Sequence, residues 1–164
     1  MEYAFRSQTS PARRGALDRV AAVVRAVVEQ TRYVSPVVDL ALRVLVAYVF
    51  FRSGLTKIAS WDTTVALFEN EYAVPLLSPM LAAVLGTVAE LTLPVLLALG
   101  LGTRFAALAL FVFNIVAVLS YPDLGEVGLK DHQYWGLFML VTLAHGPGPL
   151  SLDHLIKRAY ARRN

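Results

Sequence analysis

Two ionisable residues, Arg52 and Glu90, stand inside otherwise apolar stretches. Glu90 is ten residues into the run 80–101, about 15 Å along a helix at 1.5 Å per residue and near the middle of a hydrocarbon layer roughly 30 Å thick. Arg52 lies fifteen residues past Val37, about 8 Å short of the far boundary of its own stretch. An ionisable group in hydrocarbon costs roughly 2.5–3.5 kcal/mol on insertion scales, so each needs a partner or a task. Two long side chains on neighbouring helices could meet, and such a pair either fixes helix register or handles a proton, a cation or a polar headgroup. Pro94 has no N–H to give the Glu90 carbonyl, so a kink and a free carbonyl are expected beside the carboxylate.

Other polar residues have simpler readings. Lys57, three residues after Gly54, ends its apolar stretch; it either snorkels to water or meets a ligand phosphate or a quinone carbonyl. Asn114, in mid-stretch, suits a hydrogen bond between helices. Asp39 and Arg43 are four apart with the acid first, the favourable order for a structural ion pair. His132 and His145 bound the same short stretch from opposite ends and the other stretches have none, which excludes a two-histidine haem within one chain. Asp123, Glu126, Asp131 and His132 match no metal-ligand spacing and read as a solvated acidic loop, so no metal is assigned. Cysteine is absent, which removes thiolate ligands and thiol redox relays. No nucleophile–base set, phosphate loop or cofactor fingerprint is visible, which favours an accessory subunit over an enzyme acting alone.

These residues are positioned by a chain made for lipid. Hydrophobic residues are 57% and charged residues 16%, against about 25% charged in a soluble domain. The mean hydropathy is +0.57. A soluble globular enzyme is thereby excluded, and the bilayer is the first partner. Residues 1–13 are polar and basic with no apolar period and are expected to form a mobile tail. In 14–35, Leu17, Val20, Ala21, Val24, Val27 and Val28 share one helical face, opposite Arg14, Asp18, Arg25, Glu29 and Arg32. This is an amphipathic interfacial helix, too charged to span. Arg25 breaks the only apolar run available to a signal peptide, and Arg13-Arg14 lacks the surroundings of an export signal.

Four spans follow at about 37–59, 80–101, 105–121 and 132–145, with Pro36 suited to the first turn of the first. The last is short. Arg6, Arg13, Arg14, Arg19, Arg25 and Arg32 precede the first span, Lys157, Arg158, Arg162 and Arg163 follow the last, and Arg104 occupies the turn between spans two and three. The other two loops are acidic. Both termini and the Arg104 turn are therefore expected in the cytoplasm, which requires an even number of crossings. The expected fold is all-α: an integral membrane four-helix bundle over 36–150, ending in a basic cytoplasmic tail at 151–164. Trp61, Tyr72, Tyr134 and Trp135 would form an outer aromatic belt. Basic residues sorted by membrane side argue against nucleic acid.

Arg43, Phe50, Gly54 and Lys57 follow the spacing R-x(6)-F-x(3)-G-x(2)-K, which resembles a pattern of the DoxX family of small bacterial inner-membrane proteins. The run 89–108, which begins Ala89-Glu90 and passes through Gly102-Thr103-Arg104, resembles a second signature, and 146–156 resembles a C-terminal glycine and S-L-D element. Ala47 departs from the glycine common in the family. The loop 68–79 resembles a subgroup found with peptide-maturation and copper-stress systems. The resemblance implies a four-helix inner-membrane protein with family polar positions at Arg43, Lys57, Glu90 and Arg104. It implies a subunit of a redox or stress-response complex, with quinone as the candidate ligand and a protein partner or a second copy beside it. In that reading Glu90 relays a proton while Lys57 or Arg52 holds a quinone oxygen or an anion. The alternatives are a carrier of a small solute, metal ion or peptide, and a non-catalytic membrane scaffold.

Overall fold

A computed structural model describes residues 11–163, so most of the expected tail 1–13 lies outside the described residues. Its helices are α1 (Pro11–Ala59), α2 (Trp61–Asn70), α3 (Pro79–Leu99), α4 (Thr103–Ser120), α5 (Gly125–His145) and α6 (Leu152–Ala161). Among the described residues there is no strand. Three segments are long and apolar enough to cross a membrane: Asp18–Ala59, Pro79–Leu99 and Thr103–Ser120.

The chain divides into two compact units, Met1–Ser35 and Pro36–Asn164. In the first, Val20, Val24, Val27 and Val28 are exposed. The expected helix start at Pro36 is not what is found: Pro36 lies inside α1. The proline removes a single backbone donor, and its fixed φ is itself helical, so a helix can pass through it. α5 starts at Gly125, ahead of the expected 132, and its polar first half keeps it out of the span-like segments.

In the second unit, Arg43, Val46 and Phe50 are buried at spacings of three and four, the repeat of one helical face. Phe50 meets Phe113 and Trp135 edge-on, with ring centroids 6.2 and 5.8 Å apart. Leu97, Ala106, Ala107, Leu110 and Met139 complete this core. The alanines let backbones approach closely, which is how helices associate when lipid outside is as apolar as the core. Outward-facing Leu81, Val84, Leu85 and Val88 of α3 are exposed. α4 and α5 run antiparallel: Arg104 donates to the Ala144 carbonyl near one end, and Asn114, ten residues further along α4, donates to the carbonyl of His132, twelve residues back along α5.

The segment expected as a plain basic tail carries α6, and it closes one end of this unit. The Ser151 hydroxyl caps α6 by accepting from the His154 N–H at 3.2 Å. Asp153 reaches to the start of α4, where it accepts from the Gly102 and Thr103 N–H groups at 2.9 Å each and from the Thr103 hydroxyl at 3.0 Å. Two otherwise orphaned donors of the α4 terminus are thereby satisfied by a residue far away in sequence. Burial alone would raise the Asp153 carboxyl, but the Thr103 and Gly102 amides, the Thr103 hydroxyl and Lys157 outweigh it and hold it below its ordinary 3.8. A carboxyl lowered on folding stabilises the fold above its unfolded value, and that stability is lost as pH falls through the folded value. The melting temperature of Asp153→Asn should therefore trail that of the wild type at neutral pH, with the gap shrinking below pH 3.8. A gap independent of pH would show that the carboxylate charge contributes nothing.

Candidate ligand cavity

Gly54 is buried where α1 approaches α3. A Cβ there would stand 2.9 Å from the Leu91 side chain and 3.1 Å from the Glu90 Cβ, so only glycine allows this approach. The residues flanking Gly54 are thereby delivered to Glu90. Lys57 Nζ lies 2.6 Å from Glu90 Oε2 and 2.8 Å from Oε1. The Ser53 hydroxyl accepts from Lys57 at 3.0 Å and donates to Glu90 Oε1 at 3.2 Å. The side chains of Lys57 and Glu90 are 18% and 7% exposed, so the pair is shut away from most solvent. Thr64 of α2 donates to the Lys57 carbonyl at 3.0 Å and ties α2 to this corner.

Arg52 is not part of this constellation. It is exposed and donates to the Tyr48 hydroxyl at 3.2 Å. Five residues separate it from Lys57, roughly 140° around a helix, so the two cannot serve one face. Pro94 is buried within α3, which continues through it. Asn114 is buried against α5: its Nδ2 donates to the His132 carbonyl at 3.0 Å, and its Oδ1 lies 2.7 Å from His132 Nδ1. His132 thus turns inward from the acidic loop to which its sequence position assigns it. Asp39 meets His145 Nδ1 at 3.0 Å, while Arg43 donates to the Leu150 carbonyl. Asp39 and Arg43 remain within electrostatic reach of each other. Arg104 is exposed and lies over Gly146.

The Lys57–Glu90 pair forms part of the wall of a cavity of about 570 Å³. Leu93, Val112, Phe113 and Val116 supply apolar walls, and Tyr72, Ser120, Tyr121 and His132 supply further polar groups. A strap closes this region: the Ala73 N–H donates to the Ser120 carbonyl at 2.8 Å, and Tyr72 packs edge-on between Phe68 and Tyr121, at 4.9 and 5.0 Å. Burial first, then Tyr121, Glu71 and Glu90, push the Tyr72 phenol above its ordinary 10.0, so it is a neutral donor at physiological pH. Among the described residues, the buried Ser120 hydroxyl has no hydrogen-bond partner.

Tyr72 and Trp135, expected in an aromatic belt, also pack on neighbouring rings: Tyr72 on Phe68 and Tyr121, and Trp135 on Phe50 and on the His132 ring. Sequence spacing also passes over Ser53, Ser120 and Tyr121. Ser53 had a signal, since it stands four residues before Lys57 on the same face. The other two reach the cavity through the strap, which no linear spacing encodes. An apolar volume with an ammonium, a phenol and a hydroxyl as donors and a carboxylate as acceptor is suited to a molecule with an apolar body and a few oxygens.

Apolar helices of membrane length, arranged around a cavity with a buried ion pair, define a small helical membrane protein. A model of the DoxX family matches residues 38–122, slightly more than half the chain, and the protein belongs to that family. An uncharacterized protein of Haemophilus influenzae is 33% identical over 136 residues, covering 76% of this chain and 87% of its own. The inner membrane protein YphA of Escherichia coli K12 is 34% identical over 130 residues, covering 72% and 89%. No solved structure matches the chain. The family match includes Lys57, Glu90, Tyr72 and Ser120 and stops short of His132.

Proposed function

We propose that this protein is a four-crossing inner-membrane subunit that holds a quinone-type ring in the cavity beside Lys57 and Glu90, in support of a redox or stress-response system. The observation that carries the reading is the cavity itself: about 570 Å³, mainly apolar, with the ion pair in its wall and the buried Ser120 hydroxyl beside it. Lys57 and Tyr72 would donate to quinone oxygens, and Glu90 would accept or return the proton that accompanies reduction. The electrons would come from a partner subunit.

The fourth crossing is supported by α5, which runs antiparallel to α4 from Arg104–Ala144 to Asn114–His132. Packing along a crossing α4 favours a crossing α5. Inner-membrane placement is supported by the name of the Escherichia coli relative, and cytoplasmic termini by the sorting of basic residues. With no native cysteine, single replacements report topology directly. In intact cells an impermeant thiol reagent should label Asp123→Cys, and Arg104→Cys only after the membrane is opened. The reverse pattern would invert the orientation.

Ligand binding is tested by titrating short-chain ubiquinone and menaquinone analogues into the purified protein. Tyr72→Phe, which removes one hydrogen bond to a quinone oxygen, should weaken binding about fivefold. Absence of binding by the wild type would refute the quinone reading.

A further inference from the structure

We propose a second site, at the opposite end of α4 from Ser120: the pocket between the α3–α4 turn, the end of α5 and α6 binds the phosphate of an anionic phospholipid, with α6 lying on the membrane surface beside it. The proposal uses the crossing of α3 and α4 from the reading above and is independent of quinone.

This open pocket of about 660 Å³ brings together Arg104, His145, His154 and Lys157. Two carboxylates bear on it: Asp153, both of whose oxygens are already engaged by the Gly102 and Thr103 N–H groups and the Thr103 hydroxyl, and Asp39, which meets His145 Nδ1 at 3.0 Å. Lys157 lies within electrostatic reach of the Asp153 carboxylate and its neutralisation is shared; among the described residues Arg104 makes one hydrogen bond, at 3.4 Å to the Ala144 carbonyl. The remaining guanidinium donors form the planar fork that matches phosphate. Phe105, exposed on the same rim, offers an apolar surface next to the cations.

α6 supplies the independent observation. Leu152, Leu155, Ile156 and Tyr160 fall at i, i+3, i+4 and i+8 on a single face, and all four are exposed. Lys157 and Arg158 stand on other faces of the same helix and are exposed as well, as are Arg162 and Arg163 just beyond it. A basic helix with an uncovered apolar face is built for the boundary between headgroups and acyl chains. Its first turn is pinned at that level, because Asp153 holds it to the α4 N-terminus, where a crossing helix enters the bilayer. Free phosphate would satisfy the pocket but leave Leu155, Ile156 and Tyr160 in water. A phospholipid covers both, phosphate in the pocket and acyl chains against Phe105 and the α6 face. Basic pockets at the cytoplasmic ends of membrane helices take anionic headgroups for this reason.

The test is native mass spectrometry of the full-length protein in neutral detergent, titrated with phosphatidylglycerol and with phosphatidylcholine of the same chains. The wild type should retain phosphatidylglycerol at least about fivefold better, and Lys157→Gln and Arg104→Gln should each weaken that lipid about fivefold while leaving phosphatidylcholine unchanged. Arg104 also touches Ala144, so Lys157→Gln, with its helical spectrum checked, decides the matter if Arg104→Gln fails to fold. Equal retention of the two lipids, or wild-type retention of phosphatidylglycerol by Lys157→Gln, overturns the proposal. Displacement of phosphatidylglycerol by excess inorganic phosphate also overturns it, assigning the pocket to a soluble anion.

Discussion

Lys57→Met is expected to destabilise the protein by about 3–5 kcal/mol, the cost of leaving a buried charge without its partner. Glu90 would keep only the Ser53 hydroxyl, at 3.2 Å, in place of an ammonium 2.6 Å away. The double variant Lys57→Met, Glu90→Leu should recover most of that loss, because an apolar pair in apolar surroundings avoids desolvating two ions. Unfolding by added SDS, followed by circular dichroism, gives both numbers. A double variant as unstable as the single would show that the pair stabilises by more than mutual compensation. A double variant that regains stability but no longer binds quinone analogues would separate the pair's ligand role from its structural one.

Gly100→Ala should cost about 2–5 kcal/mol. Gly100 has φ +69 and caps α3 in the left-handed region, where a side chain costs roughly 1–2 kcal/mol. An added Cβ would also run into the Arg43 guanidinium and stand 3.0 Å from Ser151 Cα. Neither neighbour can easily withdraw: Arg43 is 1% exposed, and Ser151 begins α6. Overpacking of this kind adds about 1–3 kcal/mol. Gly102 is the control, with φ +57 but nothing within 4 Å of its missing Cβ, so Gly102→Ala should show the conformational cost of roughly 1–2 kcal/mol alone. Equal losses in the two variants, measured by the same SDS titration, would rule out the clash.

Helices α3 and α4 were legible in the chain because long apolar runs have few other fates. Glu90 was conspicuous for the same reason. Its partner was not: depth along the chain pointed to Arg52, whereas direction around the helix decides. Arg43, Val46, Phe50, Ser53 and Lys57 recur at intervals of three and four, and Arg52 falls outside that series. A wheel drawn through Phe50 would have chosen Lys57. The Pro36 boundary misled because proline marks helix starts statistically without enforcing them. Tyr72 and Ser120 were beyond reach because their place in the cavity depends on the hydrogen bond from Ala73 to the Ser120 carbonyl. α6 was hidden by its charge, which marked the segment as a tail; its apolar residues recur at helical spacing all the same.

The clasp between Asp153 and the start of α4 also imposes an order on biogenesis. Asp153 is 51 residues beyond Gly102, so at about 5–20 residues per second it is made roughly 3–10 s after the amides it will cap. During that interval the α3–α4 hairpin is inserted with its turn still open, and the amides at the head of α4 are served by water or headgroups. This end of the bundle is closed only once α6 has left the ribosome. Quality control that samples nascent membrane proteins would meet an unfinished turn until then, and a bulky insertion directly after α6 would act on the step that closes it.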